Sequence, residues 1–194
     1  AQLGYEFTSR YKGFRSHRLQ PQVQLGVEYN VQRSSRNKDL DEAPSRRNYV
    51  FLSAGTGVYT GNMGDGGSIG RRLTLPTDIG YGHWFSSLSG IQVALGNTLV
   101  PSPNLGSKTL TALRADYMMN LKSAVTGEPS DDELVQFTGL LGAQVAVSTK
   151  EHRTPNYAPG LHAAMQAGLR VSPRVELYLE PSATLSTKNL EAPH

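Results

Sequence analysis

Apolar and polar residues alternate along much of the chain. The clearest run extends from Leu161 to Val171, where every second residue is Leu, Ala, Met or Val and the positions between them include His162 and Arg170. A period of two places successive side chains on opposite faces of a β-strand, whereas a helical pattern repeats every 3.6 residues. The run therefore predicts a strand with one apolar and one polar face.

The same alternation predicts about nine strands. Ser172 and Pro173 separate the first run from the next one, so these two predict a hairpin. The other clear runs are Val23 to Gln32, Thr111 to Leu121, Val135 to Val147 and Val175 to Leu185. The weaker runs are Gln2 to Thr8, Tyr49 to Thr60, Leu73 to Phe85 and Leu88 to Leu99.

The predicted fold class is all-β, an antiparallel up-and-down transmembrane β-barrel with about eight to ten strands. Residues 1–194 form one outer-membrane barrel domain, or a part of one that continues beyond the C-terminus. Bacterial single-chain barrels have an even number of strands, and a ninth strand would leave an open edge in lipid. We therefore expect this chain not to close by itself and to belong to a larger barrel.

Alternation alone also fits a soluble secreted barrel or sandwich that binds a ligand or surface. The predicted strands, however, are ten to thirteen residues long, beyond the usual five or six of soluble sheets. The polar faces carry few Lys and Glu, and aromatic residues near strand ends would suit an interfacial girdle. These aromatic residues are Tyr5, Phe7, Tyr49, Phe51, Tyr59, Tyr81, Phe85 and Tyr117. The prediction is a location in the bacterial outer membrane.

Connection lengths predict an orientation, because outer-membrane barrels have short periplasmic turns and longer external loops. The segments expected outside the cell are Gly61 to Arg71, Val100 to Lys108 and Lys150 to Gly160. Those expected on the periplasmic side are Arg33 to Arg47 and Thr126 to Glu133.

Composition excludes a transmembrane helix, because 38% hydrophobic residues and a mean hydropathy of -0.39 leave no apolar window of the required length. The net charge is +3, with basic residues in segments such as Arg10 to Arg18 and Arg46 to Arg47. No recognition helix or aromatic platform accompanies them, so nucleic acid is not an expected partner. The expected partners are outer-membrane lipid and the phosphates of lipopolysaccharide.

Two segments resemble the outer-membrane barrels of Bacteroidota, namely Leu113 to Leu121 and Gln166 to Pro181. The resemblance covers about the second half of the chain and implies an outer-membrane location and a barrel, without a substrate. Some barrels of that group carry an OmpA-like peptidoglycan-binding domain, and others are accessory subunits. The resemblance thus implies other outer-membrane proteins or lipoproteins as partners.

The candidate site is a cluster of charged residues on polar strand faces, which would face the lumen. Such a cluster could close the barrel with ion pairs or line a narrow pore. Its members are Arg114, Asp116, Arg170, Glu176 and Glu180.

No catalytic, metal or cofactor site is predicted. Asp78, His83 and Ser86 could form a hydrolase triad only with a bulge, since His83 points to the other face of the strand. The glycine-rich segment Gly61 to Gly70 lacks the Lys-Ser/Thr of a phosphate-binding loop, and Glu151, His152 and His162 lack metal-ligand spacing. The leading hypothesis is a non-enzymatic scaffold, accessory subunit or porin-like narrow channel. The two alternatives to it are the soluble secreted protein described above and an outer-membrane hydrolase.

Overall fold

A computed structural model describes residues 17–31, 48–58, 73–100, 108–127, 134–148 and 156–187. Eight β-strands and one short helix account for nearly all of these residues. The strands are β1 (His17–Asn30), β2 (Asn48–Val58), β3 (Leu73–Trp84), β4 (Ser89–Val100), β5 (Lys108–Asn120), β6 (Val135–Ser148), β7 (Asn156–Arg170) and β8 (Val175–Thr187). The helix, α1 (Leu121–Thr126), follows β5 directly.

The eight strands form a closed antiparallel barrel in chain order. Each strand pairs with its neighbours in sequence, and β1 pairs with β8 from His17 and Thr187 to Tyr29 and Val175. The expected up-and-down barrel is confirmed. The expectation of an open edge is wrong, because β1 and β8 satisfy each other's backbone hydrogen-bonding groups. The strand predicted at Gln2 to Thr8 lies outside the described residues.

The two ends of the barrel differ in their connections. We call the end where β1 begins and β8 finishes the terminal end, and the opposite one the turn end. At the turn end, four residues each join β3 to β4 and β7 to β8. The backbone N–H of Phe85 donates to the carbonyl of Ser89 at 2.9 Å, and that of Val171 donates to the carbonyl of Val175 at 3.0 Å. Both connections are therefore tight hairpin turns.

Helix α1 was not predicted by the sequence, which extended the preceding strand to Leu121. The Asn120 side chain accepts hydrogen bonds from the backbone N–H groups of Lys122 and Ser123, both at 3.1 Å, and thereby caps the helix. The helix ends at Gly127, whose φ of 72° is readily adopted by glycine. Among the described residues, no helix is long and apolar enough to cross a membrane.

The barrel wall is apolar outside and largely polar inside. Leu25 and Leu141 are each 67% exposed on the outer face, whereas Gln24 and Asp116 are each 1% exposed on the inner face. A soluble barrel would place its apolar side chains inside. The exterior is therefore that of a barrel surrounded by lipid.

Outward-facing aromatic residues gather near the turn end, as expected for a girdle, but its membership differs from the prediction. Tyr49 and Phe51 face the lumen and are each 4% exposed, because the other face of β2 carries Val50 and Leu52 outward. The exposed aromatic residues near the turn end are Tyr29, Tyr81, Phe85, Tyr117 and Phe137.

The loop predicted from Lys150 to Gly160 is too long, because β7 already begins at Asn156. Tyr157 and Pro159 pair in register with Val147 and Val145 of β6. The loops predicted at Gly61 to Arg71 and Arg33 to Arg47 lie outside the described residues, as do residues 101–107 and 128–133. Val100 and Lys108 are the terminal residues of β4 and β5.

Candidate functional site

Arg114 lies at the centre of a buried ion-pair cluster inside the barrel. Its Nε is 2.8 Å from Oδ2 of Asp116, which is two residues along β5 and therefore on the same face. Its Nη1 is 3.2 Å from Oδ2 of Asp78 on β3, and its Nη2 is 3.8 Å from Oε1 of Glu180 on β8. None of these side chains is more than 8% exposed. One guanidinium thus joins three carboxylates from three strands.

His162 of β7 packs against the same cluster. Its Nδ1 is 2.9 Å from Oδ1 of Asp116, and its Nε2 is 3.4 Å from Nη1 of Arg114. The imidazole is therefore held between the acidic and the basic member of one ion pair.

Neutral side chains extend the cluster across the lumen. Nε2 of Gln24 donates to Oδ2 of Asp78 at 3.1 Å, and the hydroxyl of Ser53 donates to Oε1 of Gln24. On the other side, Nε2 of Gln92 donates to Oδ2 of Asp116 at 3.4 Å. Asp78 and Asp116 are therefore each held by a charged partner and by an amide.

The cluster holds more acidic than basic side chains. Asp78, Asp116 and Glu180 face the single guanidinium of Arg114. Glu180 is only 2% exposed, and its Oε1 has no hydrogen-bond donor among the described residues. Burial of uncompensated carboxylates is costly, so the cluster depends strongly on its guanidinium.

A group of mostly large apolar side chains fills the lumen from this cluster toward the turn end. We call them the aromatic plug, which comprises Tyr49, Phe51, Trp84, Ala94, Met118, Leu140 and Tyr178. The Tyr49 hydroxyl contacts Oε1 of Gln92 at 3.1 Å and the sulfur of Met118 at 2.8 Å. The plug is thereby linked to the charged cluster through Gln92.

Glycines on neighbouring strands make room for the plug. A Cβ atom at Gly82 would collide with the ring of Tyr49, one at Gly80 with Phe51, and one at Gly26 with Tyr178. Each of these three rings therefore lies directly over backbone that has no side chain of its own.

A polar recess enters the barrel from the terminal end and reaches the charged cluster. Its empty volume, including space open to solvent, is about 540 Å³. Asp78 and Arg114 contribute to its lining together with Gln20, Gln144 and Thr184. Solvent can thus approach the cluster through this recess.

The structure brings together three of the five predicted cluster residues, namely Arg114, Asp116 and Glu180. Glu176 lies four residues from Glu180, about 13 Å along β8, and pairs in register with Arg170 of β7 and Glu28 of β1. These residues belong to a second polar group near the turn end, where Nε2 of Gln166 donates to Oε1 of Glu28 at 2.6 Å.

Two members of the central cluster were not assigned to it from the sequence. Asp78 was considered for a catalytic triad and His162 for a metal site. Both occupy positions that the alternation places on the lumen side of their strands, and this was the sequence signal that could have assigned them to the cluster. It does not give the height of a side chain along the barrel, which depends on how the strands are paired.

The structure does not assemble a triad from Asp78, His83 and Ser86. Asp78 is engaged with Arg114, while Nδ1 of His83 is 2.7 Å from Oδ1 of Asn48. The Ser86 hydroxyl lies in the β3–β4 turn and accepts from the backbone N–H of Leu88 at 3.2 Å. Within the described ranges, no group of three or more His, Cys, Asp or Glu side chains could hold a metal ion.

Comparison with known proteins gives a distant structural likeness. No protein-family model and no curated protein sequence matches the chain. Among solved structures, the chain is similar to Ail, the attachment invasion locus protein of Yersinia pestis, with 11% identity and a TM-score of 0.31. That match covers 86% of this chain and 97% of the other. A match at this level carries no functional assignment.

Proposed function

We propose that this protein is a non-enzymatic, non-conducting barrel of the bacterial outer membrane that serves as a scaffold or accessory subunit. The observation that carries the proposal is the aromatic plug. Met118 is 0% exposed and Tyr178 3%, and an eight-stranded barrel is just wide enough for side chains to fill its interior. An accessory role is also what the resemblance to Bacteroidota barrels implies.

The outer face supports the membrane location. Every strand carries exposed large apolar side chains, at 38 to 67% exposure, with Leu52 at 62% and Ile79 at 58%. Such a surface in water would cause aggregation. The purified chain should therefore require detergent or lipid to remain monodisperse, whereas a monodisperse solution in plain buffer would favour the soluble alternative.

Planar-bilayer recording tests whether the lumen conducts. We expect no steady conductance from the intact chain. The double variant Tyr49→Ala/Tyr178→Ala removes two rings of the plug and should introduce a conductance. Tyr117→Ala, which removes an outward-facing ring that is 53% exposed, is the matched control and should stay silent.

A narrow channel remains the second candidate, because the recess already admits solvent as far as Arg114 and Asp78. Steady conductance of the intact chain would favour it over the scaffold. Its ion selectivity should then change when Glu176 and Glu180 are neutralised, since both are buried on the lumen side.

We further propose that the turn end faces the periplasm, since its two four-residue turns, β3–β4 and β7–β8, are of the short kind that outer-membrane barrels have there. The basic segment Arg10 to Arg18 leads into β1 at the terminal end and would then meet lipopolysaccharide phosphates outside the cell. The chain has no cysteine, so Ser87→Cys provides a single label in the β3–β4 turn. An impermeant thiol reagent should modify it only after the outer membrane is permeabilised, and modification in intact cells would reverse the orientation.

A further inference from the structure

One side of the outer wall carries polar residues, and the other side does not. On β1, β6, β7 and β8, the outward-facing positions from Leu19 to Tyr29 and from Val135 through Leu185 are all apolar or glycine. On β3, β4 and β5, Thr77, Asn97 and Thr111 lie side by side as cross-strand partners. We call these three residues the polar row.

The polar row lies within the apolar belt. Ile79, Leu95 and Leu113 flank it toward the turn end and are 58%, 48% and 58% exposed. Leu75 and Leu99 flank it toward the terminal end and are 56% and 44% exposed. The row is therefore bordered by leucine and isoleucine on β3 and β4, whereas on β5 its neighbour toward the terminal end is the exposed Thr109.

The hydrogen bonds within the row leave donors unused. The hydroxyl of Thr111 donates to Oδ1 of Asn97 at 2.8 Å, and that of Thr77 donates to the backbone carbonyl of Asn97 at 3.3 Å. The side-chain nitrogen of Asn97 has no acceptor among the described residues. Hydrocarbon chains provide no acceptor either, so two N–H donors would be unsatisfied against lipid tails.

We propose that the polar row is the contact surface of a homodimer, an inference that rests on the proposed membrane location. A second copy offers what the row lacks, because Asn97 and the threonines carry acceptor oxygens as well as donors. Two identical rows related by a twofold axis can exchange such hydrogen bonds reciprocally. Thr and Asn are also smaller than the flanking leucines, so the two walls can approach closely at this level.

Cysteine cross-linking in phosphatidylcholine vesicles tests the dimer, since the chain has no cysteine of its own. Leu95→Cys is two residues from Asn97 on the same face. Leu161→Cys, at a position that is 62% exposed on the apolar side of the wall, is the matched control. Under oxidation, Leu95→Cys should form at least about ten times more dimer than Leu161→Cys, equivalent to about 1.4 kcal/mol of preference.

A second substitution isolates the role of the amide. Adding Asn97→Leu to Leu95→Cys should lower the dimer yield about tenfold, whereas Asn97→Gln, which keeps the amide, should retain most of it. Equal yields at the two cysteine positions, or a yield that ignores Asn97→Leu, would overturn the dimer and leave the row facing lipid or another protein.

Flotation of the protein with the vesicles reports on the membrane location separately. A chain that floats but gives equal cross-linking overturns the dimer alone. A chain that does not float overturns both the dimer and the membrane location.

Discussion

Replacing Arg114 with methionine should strongly destabilise the barrel, because the substitution removes the guanidinium that contacts Asp78, Asp116 and Glu180. Its nitrogens lie 2.8, 3.2 and 3.8 Å from the three carboxylates. At an effective dielectric constant of about 20, each such contact corresponds to about 4 to 6 kcal/mol of attraction. Desolvation and repulsion among the carboxylates offset most of it. Loss of one partner of a buried pair typically costs about 3 to 5 kcal/mol, which is the expected fall in unfolding free energy.

The matched control is Glu180→Gln, which removes one of the surplus carboxylates and preserves the shape of the side chain. Its Oε1 has no hydrogen-bond donor in the described part of the chain. The unfolding free energy should therefore not fall in this variant. In the double variant Arg114→Met/Glu180→Gln, part of the loss should be recovered, with a coupling of about 0.5 to 3 kcal/mol.

Urea unfolding in lipid vesicles, followed by tryptophan fluorescence, measures all three variants. Trp84 is the only tryptophan of the chain and is 9% exposed in the plug, so its emission reports directly on the opening of the lumen. An unfolding free energy of Arg114→Met within about 1 kcal/mol of that of the unmodified protein would lie below the range expected for breaking a buried pair. Such a result would mean that the cluster is hydrated, and it would refute the predicted dependence on Arg114.

Three further substitutions test the wall, the plug and the cap. Leu141→Lys lies midway along β6 on the outer face and should cost about 2 to 4 kcal/mol of unfolding free energy in vesicles, whereas a water-exposed position would change by less than about 0.5 kcal/mol. Gly82→Ala forces a Cβ into Tyr49 and should cost about 1 to 3 kcal/mol in the same assay, while Gly139→Ala, whose Cβ would meet only the flexible Leu121 side chain, should cost less. Asn120→Ala removes the cap of α1 and should cost about 0.5 to 2 kcal/mol, seen as faster hydrogen exchange of the two capped amides. Exchange unchanged from that of the intact protein would argue against the cap.

Alternation located the strands because each wall residue meets either the apolar exterior or the packed lumen. It failed where local composition resembled a loop. The first residues of β7 include Pro159 and Gly160, which usually mark turns, yet both lie within the strand and pair in register with β6. Closure was not predictable either, because the pairing of β1 with β8 joins the two ends of the described chain and no local pattern specifies it.

The lumen-facing aromatic residues show why the alternation alone does not tell which face of a strand meets the lumen. Near the turn end, both faces of β2 are apolar, with Tyr49 and Phe51 on one and Val50 and Leu52 on the other. The two-residue repeat therefore identifies the strand but does not tell which of its faces meets lipid. The missing information was on β3, where glycines 80 and 82 provide space for rings on the lumen side.

The same limit applies to the charged cluster. Lumen-facing parity selected Arg114, Asp116 and Glu180, but it also selected Arg170 and Glu176, which lie near the turn end. Cross-strand register decides between them, since it sets the height of each side chain.

The filled lumen restricts where this barrel can act. Ion pairs around Arg114 occupy the middle of the described interior, and the aromatic plug lies between them and the turn end. If the lumen is closed as proposed, partners are engaged at the two ends or along the outer wall. In the polar row, polar residues of three neighbouring strands lie side by side on the described outer wall, which is why a protein contact on the barrel is best sought there.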